Sequence, residues 1–449
     1  MEIFTNIIWW INIFSIIFVL SAFFMQILFT CVPFLKPRKY PKAKKYHDFT
    51  VIIRACNEED VIADSVDSAL AADYPSDKKH VIVFCHNCTD KTAEIARAHG
   101  ARTIEFTDMN PKHRKASYCM KLGMDRLAQD PEGTYEYFLF IDADNQIDKN
   151  YFLACNDAAD DGVLLGRTFE NSKNLTDNVI SCMTGLWYLR DNSIACNARS
   201  AMNLGCVMDG CASMVKAEYA LHWDAMSSSD DLEFTLNRLL KDHLKVEYIS
   251  EAMVYEDQPT SLHDMFARNT RMGGGLNKLF WSTGIKCFVK FLKALFDPKE
   301  KFSQAMTYLD MYCNSASIPM SLYAVAWFVP YYVFVLIYTG LGNTMNIVGV
   351  GQYGFRYYLI AAISVVVVVL FLFFYYEILF GYLVNRKKIV VKKKSVLVFS
   401  ILLYPLYILI DIESIIVGIF SKGKWKKLKR SKTKIDTCEK KKSEAETKQ

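Results

Sequence analysis

Tyr137-Phe-Leu-Phe-Ile141-Asp142-Ala143-Asp144 is the stretch that decides the fold. An apolar run this short and continuous reads as a strand buried on both faces. It ends directly at two carboxylates one residue apart, and open parallel sheets bind ligands beyond the C-terminal ends of their strands. Two runs upstream have the same character, Thr50-Val-Ile-Ile-Arg54 and His80-Val-Ile-Val-Phe84. Helical spacing follows each of them, over 58–71 and 90–99. Strand and helix alternating in this way predict a doubly wound α/β sheet between about residues 49 and 262.

The two carboxylates carry a chemical expectation of their own. Hard oxygen ligands at a strand end suit Mg²⁺ or Mn²⁺ shared with the oxygens of a diphosphate. The plain alternative is a strand-end turn, where aspartate is common for conformational reasons alone.

Both ends of the chain differ from its middle. Residues 7–32 form an apolar run long enough to cross a bilayer, with Trp9 and Trp10 where an interfacial aromatic belt would lie. A signal peptide would need a basic start and a small-residue cleavage site. Instead Phe23, Phe24, Met25, Ile27 and Leu28 carry the apolar run onward, so it reads as a retained anchor. Three more apolar segments, 317–340, 357–384 and 395–420, follow the soluble region. The last contains Pro405, Asp411 and Glu413, costly in a lipid-facing span, and reads as re-entrant or interfacial. That leaves three full spans and a cytoplasmic C-terminus.

Charge placement agrees with this topology. Lysine and arginine gather at 36–45, 386–394 and 422–434, each beside an apolar segment. The pattern follows the positive-inside rule, and the net charge of +5 is too modest to suggest nucleic acid as a partner. Thirteen cysteines without a small secreted framework read as free thiols in a reducing compartment, and no two CxxC pairs stand at zinc-ligand spacing.

The remaining motifs resemble one family. Ile53-Arg-Ala-Cys-Asn57-Glu58-Glu59 is similar to the first-strand motif of family 2 glycosyltransferases, and His86-Asn-Cys-Thr89-Asp90-Lys-Thr92 matches their second-strand turn. Asp142-Ala-Asp144 follows in the family's order, then Ser229-Asp230-Asp231-Leu-Glu233 in place of its acceptor-site acidic motif. Tyr255-Glu-Asp-Gln-Pro259, followed by Arg268-Asn-Thr-Arg271-Met272-Gly-Gly-Gly275, resembles the membrane-bound members. These include the hyaluronan, cellulose and poly-N-acetylglucosamine synthases.

The resemblance implies a GT-A-type, Rossmann-like domain that binds a nucleotide sugar, joined to a helical transmembrane region. It implies an inverting transferase that uses a UDP-linked donor and a divalent cation, Mg²⁺ or Mn²⁺. Asp231 stands at the position of the catalytic base, with Asp230 beside it where glutamate is usual. The alternative for both is capping of the helix beginning near Leu232. Asp144 and Asp142 would hold the metal; Arg268, Arg271 and Lys115 would face the phosphates, Lys115 reading equally well as a surface lysine. Asn57, Glu58, His86 and Asp90 would shape the nucleoside pocket.

Departures from the family pattern are specific. Arg54 replaces a proline, and Cys85 and His86 stand where aspartates contact the base. Met272 replaces the tryptophan that stacks on an acceptor sugar in processive synthases, and methionine lacks that aromatic surface.

The expected organisation is an anchor and basic flank over 1–45, a catalytic domain over 46–262, and interfacial amphipathic helices over 263–316. Transmembrane or re-entrant helices follow over 317–420, then a basic disordered tail over 421–449. Such a protein would be integral to the cell membrane, with its catalytic domain cytoplasmic. Three activities fit: elongation of a growing polysaccharide, transfer of one sugar to a lipid or lipid-linked acceptor, or an inactive scaffold homologue.

Overall fold

A computed structural model of the chain describes residues 2–108, 110, 113, 115–131, 133–347, 351–368 and 374–420. The basic segment after 420, read above as a disordered tail, lies outside the described residues.

Eight strands form one sheet: β1 Phe49–Ala55, β2 Lys79–His86, β3 Arg102–Phe106, β4 Tyr137–Asp142, β5 Gln146–Ile147, β6 Leu165–Ser172, β7 Ser213–Lys216 and β8 Glu247–Glu256. Their order is β3-β2-β1-β4-β7-β6-β8-β5. Strands β3, β2, β1 and β4 run parallel. Phe49 to Ala55 alternate between two apolar layers, Ile52 facing one and Val51 and Ile53 the other. Burial on both faces explains why these strands are legible as unbroken apolar runs.

The sheet is mixed, not wholly parallel. β7 runs antiparallel to both β4 and β6, while β6 and β8 pair in parallel. β7 reaches the sheet after the helical stretch Val179–Arg190 and its continuation to Ala201, and enters from the opposite end. Nothing in its four residues encodes that direction. Helix Ile62–Ala71 starts four residues later than its apolar spacing suggests. The backbone amides of Val61 and Ile62 instead close a turn on the Glu58 carbonyl.

Among the described residues, two helices are long and apolar enough to cross a membrane, Ile7–Cys31 and Phe302–Gly340. They pack together through Ser15–Tyr323 at 2.7 Å and Trp327 Nε1 donating to Asn12 at 2.9 Å. The second runs unbroken across residue 317. The expected span at 357–384 falls on Phe355–Val366 and Phe374–Asn385, with residues 369–373 outside the described set. Lys394–Leu402 and Tyr404–Phe420 meet at 64°, the shape of a broken span or a re-entrant loop.

Buried ion pairs join these helices to the sheet domain. Arg190 Nε meets Glu377 at 2.5 Å, and Glu377 also accepts from Thr30. Arg199 meets Asp310 at 2.6 Å, with both side chains almost fully enclosed. Removing one partner of such a pair strands a buried charge, at a cost of about 3–5 kcal/mol.

Candidate active site

The site gathers where β1 and β4 end. Arg54, at the end of β1, reaches Asp142 Oδ1 with Nη2 at 2.7 Å and Nε at 3.2 Å. Nη1 contacts Asp230 at 3.4 Å, and Nη2 also donates to the Gly210 carbonyl at 3.1 Å. One guanidinium thus ties the strand-end acid to the start of helix Asp230–Asp242 and to the loop before β7. Burial alone would lower its pKa, but Asp142 and Asp230 outweigh that and hold it above the ordinary value.

Asp230 and Asp231 are the first residues of their helix. Ser229 takes the N-cap position, and Glu233 reaches back to the amides of Met226 and Ser227 at 2.8 and 2.6 Å. Neither aspartate is the N-cap residue itself, although both lie in the first turn, where Asp231 still satisfies a helix-end amide. Asp231 accepts one bond, from the Leu232 amide at 2.7 Å. Burial, then the charges of Asp209 and Asp230, push its carboxyl up to about 7. That value suits a group that must take a proton near neutrality. Burial also raises Asp230, against the pull of Arg54.

Arg271 faces the same acids. Its field acts with Asp142, Asp230 and Asp231, burial lowers its pKa, and its Nε has no hydrogen-bond partner. A buried guanidinium left partly unsatisfied is suited to receive an anion. Arg268 turns elsewhere, to Tyr188, to Gln258 at 3.3 Å and to Glu256 at 3.5 Å. Met272 is exposed on this helix.

Close packing fixes the helix Leu262–Leu279 that carries both arginines. A Cβ at Gly275 would strike the Ser229 hydroxyl, and one at Gly418 would strike the Thr270 carbonyl. Glycine at these places lets the helix lie between the loop before Asp230 and the bent helix Tyr404–Phe420. Asn269 adds a bond to Asp411 at 2.5 Å.

Asp144 is buried, its carbonyl held by Lys173 Nζ at 2.9 Å. Around it lie acids not singled out from sequence. Glu170, Cys211 and Glu256 bring ligand-type atoms within 4.8 Å of one another, alone among the described residues. Burial raises both glutamates well above the carboxylate range, with Asp209 adding to each and Asp144 adding to Glu256. Arg167 Nη2 opposes the shift of Glu170 from 3.0 Å away and also pairs with Asp191 at 2.8 Å. Glu170 and Cys211 sit inside strand-like runs whose polar members carry no motif, so sequence offered no signal for them.

Three of the predicted nucleoside residues, Asn57, Glu58 and Asp90, form a second group through Thr89 and Thr92. Asn57, with a left-handed φ of 59°, accepts the Thr89 amide at 2.7 Å. Asp90 accepts amides from Glu59 at 3.2 Å and Thr92 at 3.0 Å. Glu58 is buried and donates its own amide to Thr92 Oγ1 at 2.8 Å. His86 is buried, its pKa lowered by burial, and Nε2 has no hydrogen-bond partner. Lys115 is exposed just before helix Ala116–Ala128.

The chain resembles a mannosyltransferase from Pyrobaculum calidifontis, solved with GDP-Man and Mn²⁺, at 13% identity and a TM-score of 0.48 over 91% of this chain and 99% of that one. It also resembles glucosyl-3-phosphoglycerate synthase from Mycobacterium tuberculosis, solved with Mn²⁺, UDP and phosphoglyceric acid. There the identity is 17% and the TM-score 0.33, over 49% of this chain and 74% of that one. No curated protein sequence matches it. The sequence model of the glycosyltransferase-like family 2 matches residues 47–275, just over half of the chain, and the chain belongs to that family.

Proposed function

We propose that this protein is an inverting membrane glycosyltransferase that moves a sugar from a UDP-linked donor to a growing glycan. The observation that carries this reading is the convergence of Asp142, Asp230, Asp231, Arg54 and Arg271 from segments far apart in the chain. Inverting transfer needs a base that takes the acceptor hydroxyl proton as its oxygen attacks the anomeric carbon. Asp231, raised to about 7 by burial and then by Asp209 and Asp230, fits that task. Arg54 steadies Asp142 and Asp230, and so holds the base's helix against the donor side of the site. Arg271 would receive the charge that develops on the departing diphosphate.

Asp144 and Asp142 supply hard oxygen donors beside a dense set of acids, a donor set that fits a divalent cation. When bound, Mg²⁺ or Mn²⁺ would supply charge neutralisation to the leaving diphosphate. Two carboxylates would be enough to hold such an ion, since Mg²⁺ usually keeps few protein ligands. The long apolar helices and the basic flanks support an integral protein of the cell membrane, with the catalytic domain cytoplasmic.

A second reading, addition of one sugar to a lipid or lipid-linked acceptor, draws on Met272. Its exposed thioether offers no stacking surface at the position where processive enzymes carry tryptophan.

Membranes carrying the protein, given radiolabelled nucleotide sugars, test both readings. Polymeric product supports elongation, and a lipid-sized product supports single transfer. Absence of turnover with every donor would overturn the enzyme reading and favour the scaffold.

A further inference from the structure

Cys85-His86-Asn87-Cys88 is a CxxC stretch at the point where β2 turns toward helix Thr92–Ala98. The chain bends at Asn87, which has a left-handed φ of 55°. The bend folds the Cys88 thiol back onto the neighbouring strand. Its Sγ donates to the Ala55 carbonyl at 3.6 Å and accepts from the Asn57 amide at 3.5 Å. Ala55 is the register partner of Cys85, and Cys88 packs against the same apolar layer that Cys85 belongs to, so the two thiols lie side by side. Cys85 is buried and Cys88 partly exposed. Among the described cysteines only Cys31, Cys56 and Cys88 reach solvent.

We propose that Cys85 and Cys88 form a redox-active dithiol, which a low-molecular-weight disulfide converts to an intramolecular disulfide that weakens nucleotide binding. The exposed member is suited to react first. Its pKa is lowered to about 7, chiefly because the Cys85 thiol donates a hydrogen bond to it, and the same contact, with burial, raises Cys85. A thiolate is the nucleophile in such exchange, so Cys88 attacks and Cys85 resolves. Cys88 loses its proton to solvent, and its thiolate attacks one sulfur of R–S–S–R. That S–S bond breaks, and one R–S⁻ leaves and is protonated. Cys85 then deprotonates and attacks the Cys88 sulfur of the mixed disulfide, releasing the second R–SH. Two cysteine thiols are oxidised, and one disulfide is reduced to two thiols.

The consequence for the site follows from what Cys88 holds. Drawing its sulfur into a covalent bond with Cys85 removes the contacts to the Ala55 carbonyl and the Asn57 amide. Asn57 anchors the turn that carries Thr89 and Asp90, so the wall assigned to the nucleoside shifts with it. This consequence rests on the donor reading above; the dithiol itself does not.

Trypsin releases residues 80–91 as one peptide that contains Cys85, Cys88 and no other cysteine. The full chain in detergent, treated with oxidised glutathione and then alkylated, is expected to yield this peptide without alkylation and lighter by two hydrogens. Dithiothreitol restores the dithiol. Cys85→Ser is expected to trap a glutathione adduct on Cys88 instead of a disulfide. Oxidation is expected to weaken UDP or GDP binding about tenfold in the native sequence, and to have no such effect after Cys85→Ser and Cys88→Ser together. A peptide 80–91 that stays a dithiol while Cys31 is modified would overturn the site. So would a cross-link between Cys88 and Cys56. Unchanged nucleotide affinity on full oxidation would overturn the regulation. If neither nucleotide binds the reduced protein, the donor reading fails while the peptide still decides the dithiol.

Discussion

The turns after β1 and β2 and the acid cluster around Arg54 lie at the same end of the sheet, yet they are built differently. In the turns, Asn57, Glu59, Asp90 and Thr92 satisfy one another across about thirty residues of chain. At the cluster, charges from β1, β4, the loop before β7 and two helices meet, and they are not balanced. Asp231 is pushed up to about 7, and the Arg271 Nε lacks a partner. Satisfied turns hold shape, whereas unbalanced buried charge marks the place where a ligand and a reaction are expected. Substitutions should therefore affect stability in the first region and turnover in the second.

The sharpest break of this contrast is at Asp231. Asp231→Asn should cut transfer about a thousandfold while leaving donor binding largely intact, read by radiolabel transfer beside nucleotide titration. Lost donor binding would remove the base assignment. In the native chain, transfer should rise about tenfold per pH unit up to about 7 and then level off. Stability should move the opposite way. The folded state keeps a proton on Asp231 that the unfolded chain releases above 3.8, so this group's contribution falls as pH climbs from 3.8 to about 7. Melting curves of Asp231→Asn should lose that slope.

Metal removal comes next. EDTA should abolish transfer, Mn²⁺ or Mg²⁺ should restore it, and Asp144→Asn should lower turnover about a hundredfold. Full activity in EDTA would end the role given to Asp144. Arg271→Ala should reduce kcat/KM about a hundredfold yet shift Tm by no more than about 2 °C, because its Nε makes no bond to lose. A large fall in Tm would make it a structural residue.

The smallest effect is expected in the turns. Asp90→Ala removes two backbone caps and should cost about 1 kcal/mol of stability, measured by denaturation, with turnover falling far less than for Asp231→Asn.

The two regions also differ in how far they could be read from the chain alone. Strands β1, β2 and β4 were legible because burial on both faces leaves unbroken apolar runs, and Asp142-Ala-Asp144 because it closes one of them. Asp230 and Asp231 were legible by resemblance. Arg54 was visible only as a departure from the family's proline. Its part in holding Asp142 and Asp230 together depends on residues 88 and 176 positions away. Glu170, Asp209 and Cys211 were not legible, since a lone polar residue in a strand or loop reads the same whether it meets solvent or a buried acid, and Glu256 was visible only as a member of the Tyr255–Pro259 motif. The direction of β7 was likewise hidden, because antiparallel entry is set by the path of the chain before it.

The sequence by itself determined the layers of the sheet domain, the apolar helices and the order of the motifs, because hydrophobic period and residue spacing are local properties. Only the tertiary structure decided which charges meet and which are left unbalanced. Electrostatic coupling depends on distance and burial, and both are fixed by chain segments that sequence separation keeps far apart.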